Sequence, residues 1–127
     1  MAKRIRSNTL VGVISCLAAL AITGCILEDE VVIPTDMNLT VDASTKAVGE
    51  DFSFSYDAQG TALNRVVVQY GDGNQDSDST FFGVFQSSEM SGVMVHAYDS
   101  TGTFTVVGWV EDLAIGADTV ELTVTVN

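Results

Sequence analysis

Three separate runs of this chain place an apolar residue at every second position, and that period dictates strands. Phe52, Phe54 and Tyr56 alternate with Ser53 and Ser55. Phe104, Val106, Gly108 and Val110 alternate with Thr105, Val107 and Trp109, and Val120, Leu122, Val124 and Val126 alternate with Glu121, Thr123 and Thr125. Successive side chains of a strand point to opposite faces, so each run offers one apolar face to a core. Clusters at Gly49-Glu50, Ala58-Gln59-Gly60, Gly71-Asp72-Gly73-Asn74, Ser100-Thr101-Gly102 and Gly116-Ala117-Asp118 mark turns between the runs. No stretch between them sustains a helical period. About seven short strands with turns at this spacing predict an all-β, antiparallel β-sandwich, which needs no crossover helices.

The first 25 residues are organised differently. Lys3, Arg4 and Arg6 precede an apolar run from Leu10 to Ile22, followed by Thr23-Gly24-Cys25. Cations ahead of a short apolar core are the pattern of a secretory signal, and the run is shorter than the ~20 residues that span a bilayer. Ile22-Thr23-Gly24-Cys25 resembles the lipobox of bacterial lipoproteins, in which the Cys receives diacylglycerol. That resemblance implies that residues 1–24 are removed and that Cys25 becomes the lipidated, palmitate-bearing first residue of the mature protein. Ala19-Leu20-Ala21 also fits ordinary signal-peptidase cleavage, which would release a soluble product. Cys16 leaves with the signal, so no pair of thiols remains to form a disulfide.

The remaining 103 of the 127 residues suffice for one domain without metal or disulfide staples. Only Lys46 and Arg65 remain against 17 acids, a formal charge of −15. Such a surface repels phosphates, which argues against nucleic acid and against a basic membrane-binding face. Residues 25–37 read as a solvated tether, with Glu28-Asp29-Glu30 acidic and Pro34 interrupting regular structure. The domain is expected over residues 38–127.

Within it, four motifs occur in order: Tyr70-Gly71-Asp72-Gly73, His96-Ala97-Tyr98, Gly102-Thr103-Phe104-Thr105-Val106 and Val110-Glu111-Asp112. Together they resemble the signature of polycystic kidney disease (PKD) domains. The resemblance implies an immunoglobulin-like β-sandwich used as an extracellular module. Two departures stand out: Val68-Gln69 occupies the place of the usual Trp, and the connection from Asn74 to Val93 is long.

Read physically, these motifs are mostly structural. The glycines of the 70–73 turn supply dihedrals that side chains resist, and Asp72 can accept backbone N–H bonds there. His96, the only histidine, has no nucleophile or carboxylate identified by spacing. Tyr98 is expected to pin the loop before the next strand through its hydroxyl. A metal reading rests on Asp72, Asn74, Asp76 and Asp78, four oxygen-bearing side chains at alternate positions in one loop. Calcium takes six to eight oxygens, but Ser77 and Gly83 stand where an EF-hand loop has Gly and Glu, and the alternative is an acidic polar loop. No cofactor other than calcium is expected.

Trp109, the only tryptophan, falls with Val107 on the face opposite the core residues, where Val67 lies within reach. An outward aromatic is a platform for a sugar ring or another protein. The competing reading is that Phe81-Phe82-Gly83-Val84-Phe85 folds over it. Three classes of function follow. The leading one is a lipid-anchored, non-catalytic binding module of the bacterial cell envelope with a protein or polysaccharide ligand. The second is a structural spacer or assembly subunit. The third is a hydrolase using Asp72, Asp76 or Asp112, which spacing alone does not support. Ile26 after the lipidated Cys favours the outer membrane by the lipoprotein resemblance.

Overall fold

All the period-two runs become strands in the computed structural model, which describes residues 29, 31–80 and 87–127. The signal segment, Cys25 and the Phe81–Phe85 cover lie outside the described residues. In chain order the strands are β1 (Asp36–Val41), β2 (Thr45–Lys46), β3 (Asp51–Gln69), β4 (Gln75–Ser79), β5 (Ser87–Ala97), β6 (Gly102–Asp112) and β7 (Gly116–Val126). No helix occurs among the described residues. The expected all-β sandwich of seven strands is what forms.

The 19-residue β3 is central to both layers. Its first part lies between β1 (Leu39 opposite Tyr56) and β5 (Met94 opposite Phe54). Its second part lies between β4 and β6 (Val68 opposite Asp76 and Gly108), and β6 continues to β7 and then β2. The register shifts between Gln59 and Arg65 mark where β3 bends from one layer into the other. The turn expected at Ala58-Gln59-Gly60 is therefore a bend within one strand. The reason is that the polar groups of the bend find partners on another strand: Thr61 and Ala62 N–H donate to the Asp112 carboxylate, and Leu113 N–H donates to Ala62 O.

A second difference is at the β6–β7 connection, which turns at Leu113–Ile115 rather than at Gly116-Ala117-Asp118. Asp112 Oδ1 accepts from Ala114 N at 2.8 Å and Ile115 N at 3.3 Å, closing the turn earlier. Asp118 instead accepts from Met37 N at 2.9 Å. A third is the pairing of β2 with β7, which is parallel. The chain leaves β1 and crosses to the other layer without reversing, so β2 runs beside β7 in the same direction. Ordered contacts begin ahead of residue 38, with Ile33 N–H donating to Thr61 Oγ1.

The core lies between the layers. Phe52, Phe54, Leu63, Val66, Val68, Val106, Val110 and Val124 are completely buried, each burial contributing about 1.5–3 kcal/mol for residues of this size. Aromatic rings join the layers, with Phe54 5.3 Å from Tyr70 and Phe52 edge-on to Tyr98 at 5.5 Å. The sandwich has two poles. At one, the chain enters through Ile33 and meets the bend of β3 and the Leu113–Ile115 turn. At the other lie the turns at 47–50, 70–74 and 98–101.

Candidate functional site

The far pole gathers most of the motif residues. The 70–74 turn is closed by Tyr70 N–H donating to Asn74 O at 3.0 Å, and Gly71 adopts φ of +83°. A side chain at Gly71 would meet Thr105 O at 2.5 Å, so the turn packs backbone against backbone on β6. Asp72 Oδ1 accepts from Asn74 N at 3.0 Å, as the turn chemistry predicts, and Asp72 Oδ2 lies 2.7 Å from His96 Nε2. The His96 ring stacks on Tyr70 at 4.0 Å and meets the edge of Tyr98 at 4.7 Å. Tyr98 OH donates to Tyr70 O at 2.9 Å. The tyrosine thus anchors the turn after β3, whereas the sequence suggested the loop before β6.

Burial acts to raise the Asp72 carboxyl, but the Asn74 N–H, His96 and the Asn74 amide outweigh it and hold it below the usual range. The Tyr98 hydroxyl is pushed up to about 12 by burial and by the Asp72 charge. His96 is therefore surrounded by a carboxylate and two phenol rings. Asp112, named with Asp72 and Asp76 in the hydrolase reading, sits at the opposite pole, so the three make no common centre.

The four oxygen-bearing residues considered for calcium do not share one loop. Asp72 and Asn74 belong to the turn, whereas Asp76 and Asp78 lie on β4. Opposite Val68 and Val66 in register, both carboxylates lie on the side of β4 that adjoins the core, and both residues stay exposed to solvent there. There each meets a phenol from the core: Tyr70 OH donates to Asp76 Oδ2 at 2.7 Å, and Tyr56 OH donates to Asp78 Oδ2. Tyr56 reaches across because its ring lies over Gly92, where a Cβ would come within 2.9 Å of the ring. Burial first, then the carboxylates, raise both phenols strongly. Among the described residues no three His, Cys, Asp or Glu side chains are placed to hold a metal ion. Exposed charges on β4, which pairs only with β3 among the described strands, discourage edge-to-edge association. The cleft between β4 and β5, about 430 Å³, is lined by Tyr56, Asp76, Asp78, Gly92 and Met94 among others.

The structure brings Trp109, Val107 and Val67 together on the outer face of the second layer. Val67 is opposite Trp109, Gln69 opposite Val107 and Arg65 opposite Glu111. Val67 is buried, while Trp109 and Val107 are half-buried. Sequence reasoning missed Arg65, whose guanidinium lies 5.0 Å from the centre of the Trp109 ring. Its Nε is 3.2 Å from Glu111 Oε2, and Asn64 Nδ2 donates to the same oxygen at 2.5 Å. The available signal was parity: Arg65 and Val67 are two residues apart, as are Trp109 and Glu111, so each pair shares the outer face. Arg65 therefore presents a cation–π pair and an ion pair on this face.

No protein-family profile and no curated protein matches the chain. Solved structures do. The PKD domain of an M14-like peptidase from Thermoplasmatales archaeon SCGC AB-540-F20 is similar over 76% of this chain and 98% of that one, with 19% identity and a TM-score of 0.58. The CARDB domain of the PF1109 protein from Pyrococcus furiosus, solved in complex with di-metal ions, is similar over 72% of this chain and 93% of that one, with 10% identity and a TM-score of 0.51. At such identities the likeness speaks for the fold, and the fold is the immunoglobulin-like sandwich that the PKD-like motifs imply.

Proposed function

We propose that this chain is a lipid-anchored, non-catalytic interaction module of the bacterial cell envelope, tethered through Cys25 to the outer membrane and binding an envelope protein or polysaccharide. The observation that carries the binding reading is the strip of Arg65, Trp109 and Val107 on the outer face of the second layer. A half-buried indole held under a guanidinium is a fixed, amphipathic surface that loses little side-chain freedom on contact. The PKD-like and CARDB-like fold supports a module that presents surfaces rather than a reaction centre. The lipobox-like Ile22-Thr23-Gly24-Cys25 supports the anchor.

The test is capture from envelope extract and from cell-wall polysaccharide by residues 26–127 and by its Trp109→Ala variant. Capture that the variant loses supports the module and locates its face. Equal capture by both variants places binding elsewhere, and no capture by either favours a structural spacer. That second reading has one observation in its favour, the burial of Val67 to 3% exposure beneath the strip. The anchor is tested separately: Cys25→Ser moves the protein to the soluble fraction.

A further inference from the structure

Four of the seven large aliphatic side chains that stand exposed among the described residues belong to the entry pole: Val31 at 80%, Val32 at 61%, Leu113 at 57% and Ile115 at 47%. Their backbone is not left to chance. Ile33 exchanges two hydrogen bonds with Thr61 Oγ1, each 2.8 Å, which fixes where Val31 and Val32 emerge. Asp112 holds the turn that carries Leu113 and Ile115 by accepting from Ala114 and Ile115 N–H, and it reaches Thr35 Oγ1 and Thr61 N as well. One carboxylate thus ties the entering chain, the bend of β3 and the apolar turn into one pole.

Val31 follows Cys25 by six residues, which even when fully extended span no more than ~20 Å. We infer that this pole seats on the lipid surface, with Leu113 and Ile115 entering the boundary between headgroups and acyl chains. The inference rests on the reading that Cys25 is lipidated. A tether this short keeps the pole at high effective concentration beside the bilayer, so a contact too weak to recruit a free protein is still populated. Aliphatic side chains on a fixed turn reach the depth of ~5–10 Å at which interfacial segments sit. With a mature charge of −15 and Glu28-Asp29-Glu30 in the tether, the surface that fits is zwitterionic, since anionic headgroups repel this chain. The far pole, with His96 and the 70–74 turn, then points away from the membrane.

The experiment uses the lipidated protein in phosphatidylcholine vesicles, with radiolabelled palmitate reporting the anchor. Because the signal removes Cys16 and acylation consumes Cys25, Ile115→Cys and, at the far pole, Ser100→Cys each offer one thiol for an environment-sensitive dye. The expected result is that the dye at 115 is at least three-fold less accessible to iodide than the dye at 100, and is quenched by nitroxide lipids. Leu113→Cys repeats the reading if Ile115→Cys does not fold. Palmitate incorporation with equal iodide access at both poles overturns the seating and leaves the anchor intact. Absence of palmitate overturns the anchor, and the seating falls with it.

Discussion

Asp112 is 3% exposed and accepts five hydrogen bonds: Thr61 N at 2.7 Å and Thr35 Oγ1 at 3.1 Å through Oδ2, and Ala62 N at 3.2 Å, Ala114 N at 2.8 Å and Ile115 N at 3.3 Å through Oδ1. Replacing it with Asn keeps size and shape but converts one acceptor into a donor. If the amide oxygen takes the Oδ1 position, three backbone donors keep their partner, and the new NH2 faces the Thr61 N–H, donor against donor. The Thr35 hydroxyl can rotate to accept, but Thr61 cannot. One buried donor left unpaired costs about 1–3 kcal/mol, and the remaining bonds lose charge assistance, so Asp112→Asn should cost about 2–4 kcal/mol. Asp112→Ala strands every donor and should cost about 3–5 kcal/mol. The pH dependence gives a second readout. Burial raises the Asp112 carboxyl, but the N–H groups of Ala114, Thr61 and Ala62 and the Thr35 hydroxyl outweigh it and hold it low. A depressed carboxyl contributes stability that is present above its unfolded value of ~3.9 and is lost as pH falls through the folded value. Urea denaturation of residues 26–127 at pH 7 and at pH 2–3 measures both effects. The difference between native protein and Asp112→Asn should be large at pH 7 and shrink in acid. A difference below about 0.5 kcal/mol at pH 7, within the range of ordinary surface substitutions, or one of the same size at both pH values, would show that the Asp112 carboxylate does not hold these segments together.

Other expectations concern the tyrosines, the 70–74 turn and calcium. All three tyrosines of the chain, Tyr56, Tyr70 and Tyr98, are buried and have raised hydroxyls. Folded values above the unfolded ~10 leave stability intact below that pH and erode it as pH rises through the folded values. Tyrosinate absorbance should therefore appear together with unfolding; three phenols titrating near pH 10 in a folded chain would contradict the packing. Gly71→Ala forces a side chain against Thr105 backbone at positive φ and should cost about 2–3 kcal/mol, read as a lowered melting temperature; an unchanged one would show that the turn relaxes freely. Because Asp76 and Asp78 lie on β4 rather than in the turn with Asp72, and no three acidic, His or Cys side chains among the described residues are placed to hold a metal ion, the melting temperature should be the same in excess calcium and in chelator. A calcium-dependent rise would reveal a site.

The strands were legible because Phe52, Phe54 and Tyr56, or Val124 and Val126, repeat with a period that only a strand satisfies. The bend of β3 was not, because Ala58-Gln59-Gly60 has turn composition and what keeps it in the strand is Asp112, some 50 residues away. The same long-range acceptor moved the β6–β7 turn to Leu113–Ile115. The grouping of Val67, Val107 and Trp109 followed from alternation, whereas Arg65 over Trp109 depended on the β3–β6 register, which no local pattern encodes. Alternation also put Asp76 and Asp78 on one face; what it lacked was that the Tyr70 and Tyr56 hydroxyls reach out of the core to meet them there.

Because β3 is a central strand of both layers, the two layers are not separable modules. Melting the first exposes Phe52, Phe54 and Tyr56, and with them the backbone that continues directly into the rows opposite β4 and β6. Partial opening is therefore confined to the peripheral strands, and amides along the middle of β3 should exchange only through global unfolding, at one common free energy. A domain built in this way should unfold in a single all-or-none transition.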